Sequence, residues 1–599
     1  MAAREGLTAE LVVDGRAPRT PALAPDGRLL AYVLTPGELW IADVDGGAPA
    51  RRVAAAGSRP RWSADSGTLF FLSGGAVHRF VLADGTVTAL TGPDAGIADH
   101  LPLADSVVVA LIAEDVRDDD DPLVVGVHER RARLRLLDLR TGLIGTPDVF
   151  AGRHVVELRQ RPGGGPLAVL TRESSDDDHG PRTGRLHLFD PATGTASDLG
   201  PAGVDARSLA WWPSPSGHQL GYLALTPPGL QAGTAVFDVA GHNHTAGLPR
   251  CPTELCQTGG APLVLFADGL DTTLARLDPA GVTTLSHHPG RLDHLTAAGD
   301  RIAALGSTRY RPADVYAGPV AGPLRRITDT RPELAGITLG AQRPLHYRAS
   351  DGLELDGLLV LPPGVSEGPL PLVTIVHGGP YDRHADRLQL SWDPSAQWLA
   401  AAGYAVFLPN PRGGQGHGHD FAARVAGRVG REEWTDILTG IDLLVARGVA
   451  DPGRLGIAGW SHGGFMAAWA VGRTGRFRAA LVGAGVADWG MLAAYGQNGR
   501  FEAALGGSTG WEGAGPHPHD AVSPVSFAGR IRTPVLILHG AEDTNVPVGQ
   551  AVYLHRALRH FGAEHEFVIY PREGHSFRER AHQLDVLRRT RAWFDRWLG

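Results

Sequence analysis

Residues 456–469 read "GIAGWSHGGFMAAW": small and apolar residues suited to a buried strand, one polar serine between glycines, then Ala-rich sequence suited to a helix. The hydrophobic period changes at Ser461, and Gly459, Gly463 and Gly464 crowd around it. A tight strand-to-helix turn brings neighbouring positions against the strand and the helix, where a side chain would collide, so glycine is required there. Such a turn lifts the serine hydroxyl above the sheet and aims the next backbone N–H, that of His462, at the place where an oxyanion would form. The pentapeptide alone is weak, because Gly and Ser also mark plain turns. Its place between an apolar run and a helix makes it read as the nucleophile elbow of an α/β-hydrolase sheet.

The sequence on either side supports that sheet. "PLPLVTIVHGGP", "GYAVFLPNPRG", "RLGIAGWS", "AALVGAGV" and "TPVLILHG" are short apolar runs bounded by Gly, Pro or polar turns, and between them lie helical patterns such as "EEWTDILTGIDLLVARGV" and "AVYLHRALRHFG". Strands alternating with helices predict a parallel sheet covered on both faces. The last segment carries Leu584, Leu587, Phe594 and Leu598 at near-helical spacing, as a docked closing helix would.

A serine hydroxyl at neutral pH needs a general base, and the base needs a carboxylate to hold its tautomer. In this fold the chain order is Ser, then Asp or Glu, then His. The loop "AEDTNVP" after "TPVLILHG" offers Asp543 or its neighbour Glu542, and His575 follows the run "EFVIYPREG". Spacing alone leaves both acids open. Most of the 26 histidines must be surface or internally satisfied groups, and His575 is distinguished only by its context. Three groups in the right order, each just past a strand, form a set that chance seldom supplies. A second oxyanion donor is expected from the loop after an earlier strand, and "IVHGGPYDR" provides Gly378 and Gly379, where backbone can approach a substrate oxygen closely.

The first half has a different grammar. From about Ala22 to Asp329, a strand and a second strand closing on an Asp-Gly-like turn recur: "LAPDGRLLAYVL" with "ELWIADVDGG", "RWSADSGTLFFL" with "VHRFVLADGTV", then weaker copies at "LRLLDLRTG", "LHLFDPATG", "AVFDVAG", "LARLDPAG" and "VYAGPVAG". Seven closing turns at intervals of roughly 40–55 residues predict a seven-bladed β-propeller of four-stranded blades, with loose middle blades. The domains are therefore expected at 1–330 for the propeller and 331–599 for the hydrolase. A chain of 599 residues also exceeds one hydrophobic core, which stops growing near 250–300 residues.

A net charge of −8 gives no reason to expect nucleic acid or an anionic membrane as a partner. Cys251 and Cys256, the only cysteines, allow a local disulfide but no disulfide framework and no zinc set, and two ordinary thiols are expected. The pairs "HNH", "HGH" and "HPH" have no further ligands beside them, so neither metal nor cofactor is expected. "MAAREGLTAELVVDG" lacks the basic-then-apolar pattern of a signal peptide, and no apolar run reaches about 18 residues, so a cytoplasmic protein is expected.

Propeller first and hydrolase second, with "HGGP", "NPRGGQGHG", "DPGRLGIAGWSHGG", "HGAEDTNVP" and "YPREGHSF" in order, the chain resembles the prolyl oligopeptidase family of serine peptidases over nearly its whole length. It is most similar to the acylaminoacyl-peptidase and dipeptidyl-peptidase branches, where HGGP replaces the tyrosine-bearing loop of true prolyl oligopeptidases. The resemblance implies hydrolysis of short peptides, or small acyl or amide substrates, through an acyl-enzyme, with the propeller capping the site. By it Ser461 is nucleophile, His575 base and then acid, and Asp543 the orienting carboxylate. Asn545 falls where the dipeptidyl-peptidase branch holds a substrate carbonyl. Val486, Trp489, Leu492, Tyr495 and Val546 fall where relatives line the pocket beside the scissile bond, which would suit a hydrophobic residue before the cut; ordinary core positions explain that group equally well.

One departure matters. Dipeptidyl aminopeptidases of the family bind the substrate amine with a paired glutamate in the propeller, and here the only such pair, Glu432 and Glu433, lies in the hydrolase. The acidic stretches "EDVRDDDD" and "SSDDDHG" read as solvated loops. Acylaminoacyl-peptidase or oligopeptidase activity is thus expected. The alternatives are an esterase or amidase of the same fold, a dipeptidyl aminopeptidase, and a propeller binding protein with a relic hydrolase, which the intact triad argues against. Self-association into a homo-oligomer stays open.

Overall fold

The computed structural model describes residues 6–104, 107–114, 122, 124, 129–215, 217–366 and 368–599. Most of "EDVRDDDD", residues 115–121, lies outside them. Seven small antiparallel sheets come first. Blade 1 holds β1 to β4 (18–54), blade 2 β5 to β8 (58–89), blade 3 β9 to β12 (97–145) and blade 4 β13 to β16 (154–201). Blade 5 holds β17 to β19 (207–238), blade 6 β20 to β23 (251–288) and blade 7 β24 to β27 (291–326).

The closing turns follow the third strand of each blade, and their aspartates explain them. The carboxylates of Asp43, Asp138, Asp190 and Asp238 each accept the backbone N–H two residues on, which folds the chain back without a partner strand. Period-two alternation then builds the ring, because each strand shows one set of side chains to each neighbouring blade. In β21, Leu263 and Leu265 pack on blade 7, whereas Val264 and Phe266 pack on blade 5. Blade 7 meets blade 1 through Leu305 and Val315 against Leu30 and Tyr32, with the Arg301–Asp45 ion pair and the Arg325 bond to the Val44 carbonyl beside them, so the circle closes without a strand shared between the two blades. Blade 5 departs from the expected four strands. After β19 only the bridge between Phe237 and Asn243 remains, because Asp238 gathers the N–H groups of Ala240 and His242 and both rings of His242 and His244 into a turn.

The second half forms one eight-stranded sheet. Its strands are β28 (Ala341–Arg348), β29 (Glu354–Leu361), β30 (Leu370–Val376), β31 (Ala405–Asn410), β32 (Ala450–Trp460), β33 (Phe477–Gly483), β34 (Val535–Gly540) and β35 (His565–Tyr570). The order is β28-β29-β31-β30-β32-β33-β34-β35. The sheet is mixed rather than wholly parallel: β28 and β29 form a hairpin, and β29 also runs antiparallel to β31. The Ser-Asp-Gly turn at 350–352, with Gly352 at φ 84°, makes that hairpin.

The helices among the described residues are α1 (Ala9–Val13), α2 (Ala396–Ala401), α3 (His419–Ala422), α4 (Glu432–Ala446), α5 (His462–Arg473), α6 (Trp489–Tyr495), α7 (Gly499–Gly506), α8 (Gly549–His560) and α9 (Arg580–Leu598). They cover both faces of the sheet. Leu372 and Ile457 point into the core shared with α4, α5 and α8, while Val373 and Ala458 point to the opposite core under α2 and α9. Leu584, Leu587, Phe594 and Leu598 of α9 are all buried.

Two local findings differ from expectation or settle it. Ahead of the first blade, Leu7 and, from α1, Ala9 and Val12 pack on Leu584 and Leu587 of α9, so this stretch lies on the hydrolase although the sequence reading assigned it to the propeller. Cys251 and Cys256 are free thiols at opposite ends of the single strand β20. An extended strand puts positions five apart at about 16 Å, far beyond disulfide reach.

Direct contacts join the propeller to the hydrolase. Gly269 N–H donates to Gly416 O and Asp386 N–H to Leu270 O, each at 2.9 Å. The Thr234 N–H donates to the Tyr381 hydroxyl at 3.0 Å, and the buried Arg383 guanidinium donates to the Gly269 and Asp271 carbonyls.

Candidate active site

Ser461 stands at the C-terminal end of β32, immediately before α5, in the middle of the sheet. Its backbone sits at φ 60° and ψ −122°, a conformation that costs a non-glycine residue about 1–3 kcal/mol and persists where the surroundings enforce it. The surroundings do so here. The Ser461 N–H donates to Gly483 O and the Ser461 carbonyl receives the Phe465 N–H, both at 2.9 Å. A Cβ on Gly463 would lie 2.0 Å from the Val376 carbonyl oxygen, so only glycine lets α5 press against β30 at the turn.

His575 and Asp543 come together as the chain order suggested. His575 Nδ1 lies 2.8 Å from Asp543 Oδ2. Asp543 is buried, whereas Glu542 is exposed, so the structure pairs the histidine with Asp543. Burial opposes ionisation of Asp543, but hydrogen bonds from His539 and His575 outweigh it and hold the carboxyl down to about 2. The histidine thus faces a carboxylate across ordinary pH.

Sequence reasoning missed His539, whose only signal is a polar residue ending the apolar run of β34. Its ring is fully buried, with Nε2 2.7 Å from the Val546 carbonyl and 3.4 Å from Asp543 Oδ2. With two acceptors at Nε2, that nitrogen carries the proton. The Val546 N–H donates to Asp543 Oδ1 at 2.9 Å, so histidine and backbone together brace the acid loop. The loop bearing His575 is braced by Glu573, also missed. Its buried carboxylate accepts the N–H groups of Arg578 and Glu579 and lies 2.9 Å from His582 Nδ1, and its carbonyl accepts the Glu542 N–H at 2.8 Å.

No hydrogen bond joins the Ser461 hydroxyl to His575 among the described residues. Their segments are tied instead by the Trp460 indole, which donates to the His575 carbonyl at 2.9 Å. A loose serine–histidine contact is common before substrate arrives.

The expected oxyanion donors surround the serine. His462 is the first residue of α5, so its N–H has no acceptor within the helix. Its ring is buried, 3.2 Å from Glu433 Oε2. A Cβ on Gly378 would sit 3.6 Å from Ser461 Cβ, which places the "HGGP" loop against Ser461. Gly379 has φ 116°, and a Cβ there would lie 2.5 Å from the Tyr381 N.

Beyond Gly379 opens a cavity of about 360 Å³ between the two halves. The hydrolase contributes Gly379, Tyr381, Asn498, Arg500 and Phe501; the propeller contributes the loop with Asp177, Asp178 and Arg182 and the apolar Val204, Leu225 and Leu230. The loop "SSDDDHG" is therefore not simply solvated, because it docks on the segment entering α7. The Arg500 N–H donates to Asp178 Oδ1 at 2.7 Å, and the Gln497 amide donates to Asp177.

The proposed pocket residues fall differently. Val486, Trp489, Leu492 and Val546 are buried in the main hydrolase core, with the Trp489 ring 6.2 Å from that of His462, beneath the elbow. Tyr495 is 68% exposed. None of the five is in the cavity wall. Asn545 is nearer to it, 3.4 Å from Asn498 through their side chains. No metal-binding cluster of His, Cys, Asp or Glu occurs among the described residues, and no helix among them is long and apolar enough to cross a membrane.

Known proteins share the sequence of the second half and the fold of the whole chain. Residues 390–599 match the model of the Prolyl oligopeptidase family. The chain is similar to the uncharacterized peptidase YuxL of Bacillus subtilis, 31% identical over 303 residues that cover 48% of this chain and 44% of that one. It is also similar to the acylamino-acid-releasing enzyme of Arabidopsis thaliana, 27% identical over 38% of this chain and 30% of that one. These matches span less than half of either relative's length. The fold is shared with the uncomplexed acylaminoacyl peptidase of Pyrococcus horikoshii, with a TM-score of 0.83 and 20% identity over 98% of this chain and 97% of that one.

Proposed function

With residues 390–599 matching the model of the Prolyl oligopeptidase family, we propose that the chain is a serine peptidase of that family that hydrolyses short peptides through an acyl-enzyme. The observation that carries this reading is the strained elbow of Ser461 beside a hydrogen-bonded His575–Asp543 pair, with Trp460 tying the two. The Ser461 oxygen attacks the scissile carbonyl while His575 Nε2 takes its proton, and Asp543 holds the Nδ1–H tautomer that leaves Nε2 free. The tetrahedral oxyanion is met by the His462 N–H and an N–H of the Gly378–Gly379 loop. His575 then gives its proton to the leaving amine, and water repeats the sequence to release the acid.

Among the finer readings the cavity favours an acylaminoacyl-peptidase or oligopeptidase over a dipeptidyl aminopeptidase. A substrate amine is best met by carboxylates that face no cation; here Asp178 faces Arg500 and Asp205 faces Arg172 and Arg207, which leaves a single carboxylate, Asp177, already accepting the Gln497 amide, and no pair. The acyl-amino reading also accords with the names of two relatives. An esterase or amidase of the same fold would use the same groups.

A fluorophosphonate probe tests the proposal. Wild-type protein should be labelled at Ser461, and Ser461→Ala should lose labelling and peptide turnover, the latter by about 10⁴-fold or more. Full turnover by the variant overturns the assignment, and absence of any adduct favours a propeller binding protein.

A further inference from the structure

Both connections between the halves run past a second cavity, of about 300 Å³. The first connection, residues 14–17, leaves α1 on the hydrolase and enters β1; the second, residues 327–340, leaves blade 7 and enters β28. Arg16 of the first connection, Arg331 of the second and Arg387 of the hydrolase segment after "HGGP" all line this cavity, and no carboxylate among the described residues does. The carboxylates nearby do not cancel those charges. Glu38 faces Arg16 but is shared with Arg52, and Glu333 faces Arg331. Arg387 makes no ion pair among the described residues; its hydrogen bond is from Nη2 to Gln389 Oε1 at 3.0 Å. Within ion-pair distance, the guanidinium groups of Arg16, Arg52, Arg331 and Arg387 thus have only Glu38 and Glu333 between them.

Further out, Asp293 is bound by Arg291 at 2.8 Å, and Asp382 and Asp393 belong to the wall of a smaller cavity of about 130 Å³ that Arg387 and Arg383 also border. Burial, with Arg291 beside it, brings the Arg387 guanidinium down to about 10 in spite of these three carboxylates. Each arginine of the wall also keeps donors that no protein acceptor takes among the described residues. Arg16 spends Nη2 on Glu38, Arg331 spends Nε on Glu333 and Nη2 on the Leu11 carbonyl, and Arg387 spends Nη2 alone. Guanidinium forks converging without a carboxylate suit a ligand that brings several anionic oxygens. We propose that this cavity is a phosphate-binding site, taking a phosphate dianion or a small phosphate monoester between Arg16, Arg331 and Arg387. An anion held there joins one arginine from each connection to the hydrolase, at the junction of the two halves. The inference stands apart from the peptidase reading, because it uses none of the groups assigned to catalysis.

The test is calorimetric titration of the full chain with inorganic phosphate and, separately, with glycerol 3-phosphate, at constant ionic strength. Wild-type protein should show one saturable site with a Kd of about 1 mM or tighter for at least one of the two, and the tighter of them identifies the free ion or the ester as the better ligand. Arg387→Gln should weaken that binding by about tenfold or more, as loss of a charge-assisted contact does, and Arg16→Gln should weaken it in the same direction. Arg331 is left in place, because its bond to the Leu11 carbonyl also holds α1. A thermal melt of each variant checks folding; if Arg387→Gln does not fold, the half-exposed Arg16 carries the comparison. Absence of saturable binding of either probe to wild type, or wild-type affinity in every folded variant, overturns the proposal.

Discussion

The indole N–H of Trp460 donates a 2.9 Å hydrogen bond to the backbone carbonyl of His575. The residue before the proposed nucleophile therefore holds the residue proposed to deprotonate it, across 115 positions of sequence. The indole is itself wedged edge-on between Trp392 and Phe577, at 4.9 and 5.2 Å between ring centres, so apolar packing fixes the donor's direction.

Trp460→Phe separates the two contributions. It keeps an aromatic ring in the wedge and removes the donor, a loss of about 1 kcal/mol in a typical hydrogen bond. We expect kcat to fall by about five- to fiftyfold, because a base displaced by a fraction of an ångström transfers protons poorly, with KM little changed. Steady-state kinetics beside a thermal melt check this. Wild-type kcat in the variant would mean that Glu573 alone positions the histidine loop.

Asp543→Asn should lower kcat by about 10³- to 10⁴-fold, because an amide at that place favours the wrong imidazole tautomer. Glu542→Gln, one residue earlier and exposed, should change kcat by no more than about twofold. His539→Leu should fall between them, since it removes one of the two braces on the acid while leaving the carboxylate in place. Pre-steady-state measurement of acylation, the step that uses this proton path, ranks the three. If Glu542→Gln is the damaging change, the pairing at 2.8 Å between His575 and Asp543 does not survive in solution.

Much of this site was legible because its chemistry demands local sequence. The elbow needs glycines beside Ser461, the strands before Asp543 and His575 need apolar runs, and the blade turns need aspartates. The missed features have no local demand. Helix α1 has five residues, and what makes it dock is the apolar stripe of α9, more than 560 positions away. His539 looks like any histidine until Val546 and Asp543 fold back over it. The role of the "SSDDDHG" loop depends on a partner segment at 497–500, which no reading of the propeller half alone contains.

Stability should carry a pH signature from Glu502 in α7. This carboxyl is buried, and burial alone pushes it up to about 8 from its ordinary 4.5. In the unfolded chain the group loses its proton near 4.5, whereas in the folded protein it holds the proton to about 8. Unfolding between those values releases a proton, so the stabilising contribution is complete below pH 4.5 and is lost progressively as pH rises to about 8. Each unit of separation is worth about 1.4 kcal/mol, so the loss reaches a few kcal/mol. Glu502→Gln, neutral at every pH, should melt at a higher temperature than wild type at pH 8 and at nearly the same temperature at pH 4.5. Parallel melting curves across that range would show that the carboxyl finds a partner or water in solution.

On the proposed peptidase reading, the size of substrate is decided where the two halves meet. The cavity beside Gly379 measures about 360 Å³, room for a few residues of extended peptide and far too little for a folded domain. Direct contacts join the halves here: Tyr381 meets Thr234, Gly416 meets Gly269, Arg383 reaches the carbonyls of blade 6, and the loop at Asp177 and Asp178 clasps Gln497 and Arg500. Excluding bulk water in this way also strengthens the oxyanion contacts at His462 and the glycine loop. A chain that must thread between the halves has to be short or flexible. We therefore expect blocked peptides of a few residues to be cut efficiently, rates to fall steeply as a flexible peptide lengthens past the cavity, and a native folded protein carrying the same bond in a surface loop to resist. The measurement is kcat/KM across one such length series. Cleavage of the folded protein at the rate of the short peptide would show that the propeller does not cap Ser461, whatever its packing against the hydrolase.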